Sequence, residues 1–150
     1  MTTETVKEIR VCIDVDDLDR GVAFYRDVFG LAPGRRLGVD WVEMLGAAAA
    51  LDLLCTSAGT APVPKDPSVR RNFARHWTPV HIDFVVTDLD AAVKRALASG
   101  ATLDREVQDC SYGRMANLAD PFGNGLCIIE MNTRGYDALV EDPKQVGAAK

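Results

Sequence analysis

The sequence predicts an α+β fold built from two copies of one βαβββ module. Three observations lead there. The pattern V-x-D-L-D-x-x-V occurs twice, at Val15–Val22 and Val86–Val93. Each copy follows a short alternating apolar run and opens a helical pattern. Three further strand-like runs follow each helix. A repeat on this scale means that each unit is one supersecondary element set, and it outranks local propensity as a guide to fold.

The first strand of each module is read from alternation. In "RVCIDV", Val11, Ile13 and Val15 share one face, and Arg10, Cys12 and Asp14 share the other. In "HIDFVV", Ile82, Phe84 and Val86 oppose His81, Asp83 and Val85. Side chains alternate across a strand, so each has one apolar and one mixed face. The acidic stretches that follow supply helix caps. Asp16 or Asp17, and Thr87 or Asp88, can accept bonds from the free N–H groups of a first turn. The expected helices run over 18–29 and 89–99, stopped by Gly30 and Gly100. Their expected apolar stripes are Val22, Tyr25 or Arg26 and Phe29 in the first, and Val93, Ala96 and Leu97 in the second. Asp16, Asp17, Asp88 and Asp90 are read as caps rather than as a metal cluster.

The later strands fall near "GRRLGV", "WVEML" and "AAALDLLC" in the first module, and near "LDREVQ", "RMANLA" and "GLCIIEM" in the second. "DPFGNG" is rich in turn formers and joins the last two runs as a hairpin. The expected organisation is a single domain over 1–150: module one 8–57, a proline-rich linker 58–78, module two 79–131, and a tail 132–150 that forms a short appended element ending in a loose "QVGAAK". Arg70, Arg71 and Arg75 are expected to form a solvated arm or a subunit contact, and His76 is given no role.

Composition narrows the function classes. With 47% hydrophobic and 26% charged residues, this is an ordinary globular composition. A net charge of −5 without a basic stripe argues against nucleic acid. The apolar run "LGAAAALDLLC" is too short for a membrane span and contains Asp52. The N-terminus lacks an apolar signal core, and Cys12, Cys55, Cys110 and Cys127 form no C-x-x-C pair. A cytoplasmic protein with reduced thiols is expected.

The doubled module, with "V-x-D-L-D-x-x-x-x-F-Y" at Val15–Tyr25 and "D-P-x-G-N" at Asp120–Asn124, resembles the vicinal oxygen chelate superfamily over about residues 8–131. That group includes glyoxalase I, bleomycin-resistance proteins, extradiol dioxygenases and fosfomycin-inactivating enzymes. The resemblance implies two modules forming a curled mixed sheet around a cleft, with helices on the outer faces. It also implies metal positions on the first and last strands of each module, here Arg10, Asp52, His81 and Cys127. Arginine has no lone pair to donate and stays protonated. Cysteine suits zinc but not magnesium or manganese. The residual set His81, Asp52 and Cys127 could hold a soft ion such as zinc or iron with one open position. Otherwise no cofactor is expected.

His81 is either a metal ligand or acid–base group, or a cleft histidine bonded to a neighbour. Arg10 is either an anion anchor or the partner of Asp52 or Asp14. Trp41, Tyr112 and Trp77 are either pocket walls or plain core. The candidate ligand-binding residues are thus Arg10, Cys12, Asp14, Trp41, Asp52, His81, Asp83, Tyr112 and Cys127. The leading expectation is a homodimeric protein that binds or sequesters a small apolar or aromatic molecule, as in the bleomycin-resistance branch, with a degenerate metal site. The alternatives are a metal-dependent lyase, isomerase or dioxygenase acting on vicinal oxygens, and metal-free acid–base chemistry by His81 with Asp83 or Asp52.

Overall fold

A computed structural model describes residues 6–76 and 78–141; Trp77 and the "QVGAAK" end lie outside the described residues. The chain divides between Ala74 and Arg75 into two compact units, each carrying one βαβββ set.

In the first unit the order is β1 (Arg10–Val15), α1 (Leu18–Phe29), β2 (Ala32–Leu37), β3 (Trp41–Leu45) and β4 (Ala50–Cys55). They form a mixed sheet in the order β1-β4-β3-β2, with β1 parallel to β4 and the other pairs antiparallel. Asp17 caps α1 by accepting from the Arg20 amide at 2.9 Å. Gly30 closes it in the left-handed conformation, φ +69°, where a Cβ would be strained. The buried stripe of α1 is Leu18, Gly21, Phe24, Tyr25 and Val28. Tyr25 of the expected stripe is buried, whereas Val22 and Phe29 are half-buried and lie one residue out of phase. The cause is Gly21: it has no side chain to announce a buried position, yet it faces Val15 and Leu53 so closely that an added Cβ would lie 3.2–3.3 Å from them. The helix covers the sheet face that carries Ile13, Val15, Val42, Met44, Leu51 and Leu53, all buried. This is the apolar face that alternation identifies.

The second unit repeats the pattern with β5 (Ile82–Val85), α2 (Leu89–Ala98), β6 (Thr102–Cys110), β7 (Gly113–Ala119) and β8 (Gly125–Met131). The sheet order is β5-β8-β7-β6, again with the first and last strands parallel. Asp88 caps α2 by accepting from the Ala91 amide, and Ser99 serves as C-cap rather than as a helical residue. Leu89, Ala92, Val93 and Ala96 are buried, whereas Leu97 is 44% exposed. Two contacts fix the helix start from β8 and β7: Glu130 Oε2 accepts from the Leu89 amide at 2.8 Å, and Arg114 bonds to Asp90. The "DPFGNG" turn is organised by Asp120, 3% exposed, which accepts from the Phe122 and Asn124 amides.

The segment after β8 forms a short appended element, as expected. It forms α3 (Asp137–Glu141), and Ala138 is buried among Tyr112, Met115, Cys127 and Ile129. Two of the arm residues have carboxylate partners within their own unit. Arg71 Nε donates to Asp14 Oδ2 at 2.7 Å, and Arg75 is bonded to Asp104 at 2.7 Å. Among the described residues no helix is long and apolar enough to cross a membrane.

Candidate functional site

The sequence-derived residues fall into two groups, one on the sheet of each unit. On the first, the mixed face of β1 carries Arg10, Cys12 and Asp14. The parallel register sets Asp52 beside Cys12, and the antiparallel register sets Glu43 beside Asp52. Residues paired across a ladder point to the same side, so two carboxylates are brought under one guanidinium. Arg10 Nε donates to Asp52 Oδ2 at 2.7 Å, and Arg10 Nη2 donates to Asp52 Oδ1 and Glu43 Oε1, each at 2.6 Å. Trp41 Nε1 adds a bond to Asp52 Oδ1 at 3.1 Å, and Arg35 reaches Glu43 from the far side. Asp52 and Glu43 are 1% and 2% exposed. The hydrogen bonds from Arg35, then those from Arg10, hold the Glu43 carboxyl down to about 2 against its burial. The Asp52 carboxyl is likewise lowered, chiefly by Arg10.

This arrangement decides how module one fits the metal that the fold implies. A ligand position is filled by a cation, and both nearby carboxylates are bonded to it. A divalent ion would have to displace a bidentate charge-assisted pair and then sit against Arg10. These residues do not fit a metal. Glu43 was not among the sequence candidates, although the alternation of "WVEML" puts it on the side opposite Val42 and Met44; its pairing with Asp52 needed the strand register.

On the second unit, His81, Asp83, Tyr112 and Cys127 line a cavity of about 600 Å³. His81 Nε2 lies 3.1 Å from Asp83 Oδ1. Asp83 and Cys127 are register partners, as are Cys127 and Asn117. Asn117 Nδ2 donates to Cys127 Sγ at 3.1 Å, while the buried Asn117 Oδ1 has no hydrogen-bond partner among the described residues. Burial, reinforced by Asp83, pushes the Cys127 thiol up to about 12. An uncharged thiol in an apolar surround is not a poised nucleophile.

One wall of the cavity is aromatic. The Tyr112 and Tyr136 rings sit 5.2 Å apart at 61°, and the Tyr112 hydroxyl contacts Met115 Sδ. Burial raises the pKa of both tyrosines, keeping them neutral. Tyr136 and Leu139 come from the segment after β8, a contribution invisible without the fold. His76, assigned no role from sequence, also lines the cavity. Cys12, Asp14, Trp41 and Asp52 belong to the first unit's face and do not line this cavity.

The donor atoms of His81, Asp83 and Cys127 all lie within 4.8 Å of one another. Donors around a tetrahedral zinc stand roughly 3.5 Å apart; His81 and Asp83 already meet that spacing at 3.1 Å, and Cys127 would need to lose a tightly held proton. Within this unit Asp83 takes the place that the expected set gave to Asp52. The three residues could hold a soft ion with thiolate, imidazole and carboxylate donors.

Comparison with known proteins agrees with the fold. The family model of the glyoxalase-like domain matches residues 10–129. Among curated proteins, the chain is similar to the anthracycline biosynthesis protein DauV of Streptomyces sp. strain C5, 34% identical over 84% of this chain and 42% of that one. It is also similar to the anthracycline biosynthesis protein DnrV of Streptomyces peucetius, 32% identical over 79% of this chain and 49% of that one. The chain thus spans less than half the length of either relative. Among solved structures, a glyoxalase/bleomycin resistance protein from Albidiferax ferrireducens superposes with a TM-score of 0.61 at 21% identity, covering 82% of this chain and 97% of that one. The fosfomycin resistance protein FosX from Listeria monocytogenes gives 0.62 at 15%, covering 89% and 98%. At these identities the superpositions speak for the fold alone.

Proposed function

We propose that this chain, which belongs to the glyoxalase-like domain family, binds a small, flat, apolar or aromatic molecule without using a metal in its first module. The single observation that carries the reading is the cavity on the second sheet. Its volume of about 600 Å³ lies in the range that takes one drug-sized ligand. Tyr112, Met115, Tyr136 and Leu139 give it an apolar wall, and His81, Asp83 and Asn117 give it a few polar groups. The similarity to anthracycline biosynthesis proteins favours an oxygen-bearing fused-ring ligand over an aliphatic one. Binding or sequestration is preferred to catalysis because Arg10 occupies its carboxylates and Cys127 is held as the thiol.

The test is equilibrium binding of dihydroxyanthraquinone, followed by calorimetry. Saturable binding that is weakened by Tyr112→Ala supports the reading. Absence of binding at the probe's solubility limit overturns it.

A second reading is favoured by the convergence of His81, Asp83 and Cys127. There the protein is a metal-dependent lyase, isomerase or dioxygenase of the same superfamily, and the metal would supply Lewis acidity toward vicinal oxygens. Stoichiometric metal in untagged protein, lost in His81→Ala, would favour this reading over the first. For assembly and location we propose a homodimer in a reducing compartment. A closed twofold pair is the commonest oligomer, and the four cysteines are free. Sedimentation that shows only monomer at micromolar concentration would remove the dimer.

A further inference from the structure

We infer that Arg105 is an anion anchor, so that the cavity on the second sheet takes an aromatic acid rather than a neutral ring system. The inference rests on the ligand-binding reading above and deepens it. Its first support is the charge pattern of the cavity wall. Arg75 is committed to Asp104 at 2.7 Å, and His81 stands 3.1 Å from Asp83. Of the two arginines among the described residues that line the cavity, Arg105 is the one with no carboxylate bonded to it. The wall therefore presents one guanidinium without a carboxylate partner beside an apolar surface, with the Asp83 carboxylate elsewhere in the lining.

The second support is independent and lies in the backbone. The pairing of β6 with β7 is regular through Leu103 and Leu118, then shifts so that Arg105 stands opposite Asn117. A regular ladder would have set the carboxylate of Asp104 there. A second shift follows between Arg105 and Gln108. An irregularity of this kind inserts an extra residue and re-aims a side chain, and such bulges gather beside functional sites. Here it brings a basic residue directly across from Asn117, whose neighbour in the ladder is Cys127, while Asp104 stays in the cavity wall bonded to Arg75. The turn of sequence that seemed a plain strand, "LDREVQ", is thus a device for presenting one positive charge to the cavity.

Arginine suits this task because its planar fork donates two parallel bonds to a carboxylate or to paired acidic oxygens. The ligand class is accordingly a fused aromatic ring that carries a carboxylate, sized to lie against Tyr112 and Tyr136. The charge would be exposed at the rim while the rings are covered, an economical division because the carboxylate keeps part of its hydration.

The experiment compares anthraquinone carboxylic acid with its neutral carboxamide by isothermal calorimetry, using wild-type chain, Arg105→Gln and Arg105→Lys. A charge-assisted bond is worth roughly a tenfold difference in affinity, so wild type should prefer the acid by about that factor. Arg105→Gln should abolish the preference and Arg105→Lys should keep part of it. Equal binding of acid and amide to wild type overturns the anchor while leaving the cavity reading intact, as does a preference that survives in Arg105→Gln. If neither probe binds wild type, the cavity reading itself fails and the anchor with it.

Discussion

An alanine at Gly113 puts the pairing of β7 with β8 to a steric test. The position has φ +144°, and a Cβ built there would stand 2.0 Å from the Glu130 carbonyl oxygen and 2.9 Å from the Met131 Cα. Non-bonded heavy atoms prefer about 3.5 Å, so β8 must withdraw by more than about 1 Å at the point where Gly113 opposes Met131. Two costs combine: backbone strain of about 1–3 kcal/mol and overpacking of about 1–3 kcal/mol, centred on about 4 kcal/mol. For a chain of 150 residues that lowers Tm by roughly 8–16 °C. Gly30→Ala is the control. It has φ +69° with nothing within 4 Å, so it carries only the left-handed penalty of about 1–2 kcal/mol. Urea unfolding of both variants beside wild type measures the difference, which should be about 2 kcal/mol or more. Equal destabilisation would mean that the clash does not exist and that the register at Gly113 is wrong. Because Tyr112 and Met115 flank Gly113 in the cavity wall, the variant should also weaken ring binding in calorimetry.

The acid limb of stability should depend on Arg10. Glu43 has its folded pKa lowered to about 2 from 4.5 and Asp52 is also lowered, so their stabilisation is present above the unfolded values and is lost as pH falls from about 4.5 toward 2. Arg10→Met should move the midpoint of acid unfolding, followed by circular dichroism, to higher pH; an unmoved midpoint would contradict the buried triad. Cys127, with its thiol pushed up to about 12 from 9.0, should react with iodoacetamide at pH 8 roughly a thousandfold more slowly in the native chain than in urea, as read by mass spectrometry. A rate equal to that of the unfolded chain would show that the thiol is neither buried nor protonated. Zinc, if it engages His81, Asp83 and Cys127, should release a proton on binding and lose affinity in Asp83→Asn; binding that ignores Asp83 would disown the three-donor set.

What could be read from the chain, and what could not, follows from the range of each interaction. The limits of β1 and α1 were legible because they are local: alternation from Arg10 to Val15, an Asp17 cap, a Gly30 stop. The pairing of Arg10 with Asp52 was legible as one of the open alternatives, since the family resemblance places both at ligand positions on the first and last strands of one module. Glu43 was missed because its meeting with Asp52 depends on the register of β3 on β4, which no local pattern states. Arg105 was missed for a related reason: a register shift sets consecutive residues, Asp104 and Arg105, in the cavity wall, and alternation counts straight through it. The partners of Arg71 and Arg75 lie 57 and 29 residues away, beyond any periodicity. The helix stripe slipped because Gly21 registers as a gap in hydrophobicity while acting as a point of closest packing.

The guanidinium of Arg10 can also be viewed as a cation that the chain synthesises for itself. A bound ion is held by equilibrium; it can be stripped by a chelator, starved from the medium, or exchanged for a competitor higher in the order of divalent affinities. A side chain permits none of these. Cells differ widely in which ions they have to spare, and a module whose positive charge is encoded in the gene keeps the same charge at the same place in all of them. The exchange is permanent in the other direction too: such a module gives up an ion's vacant coordination positions, and with them any chemistry that needs a substrate oxygen bound directly to the charge.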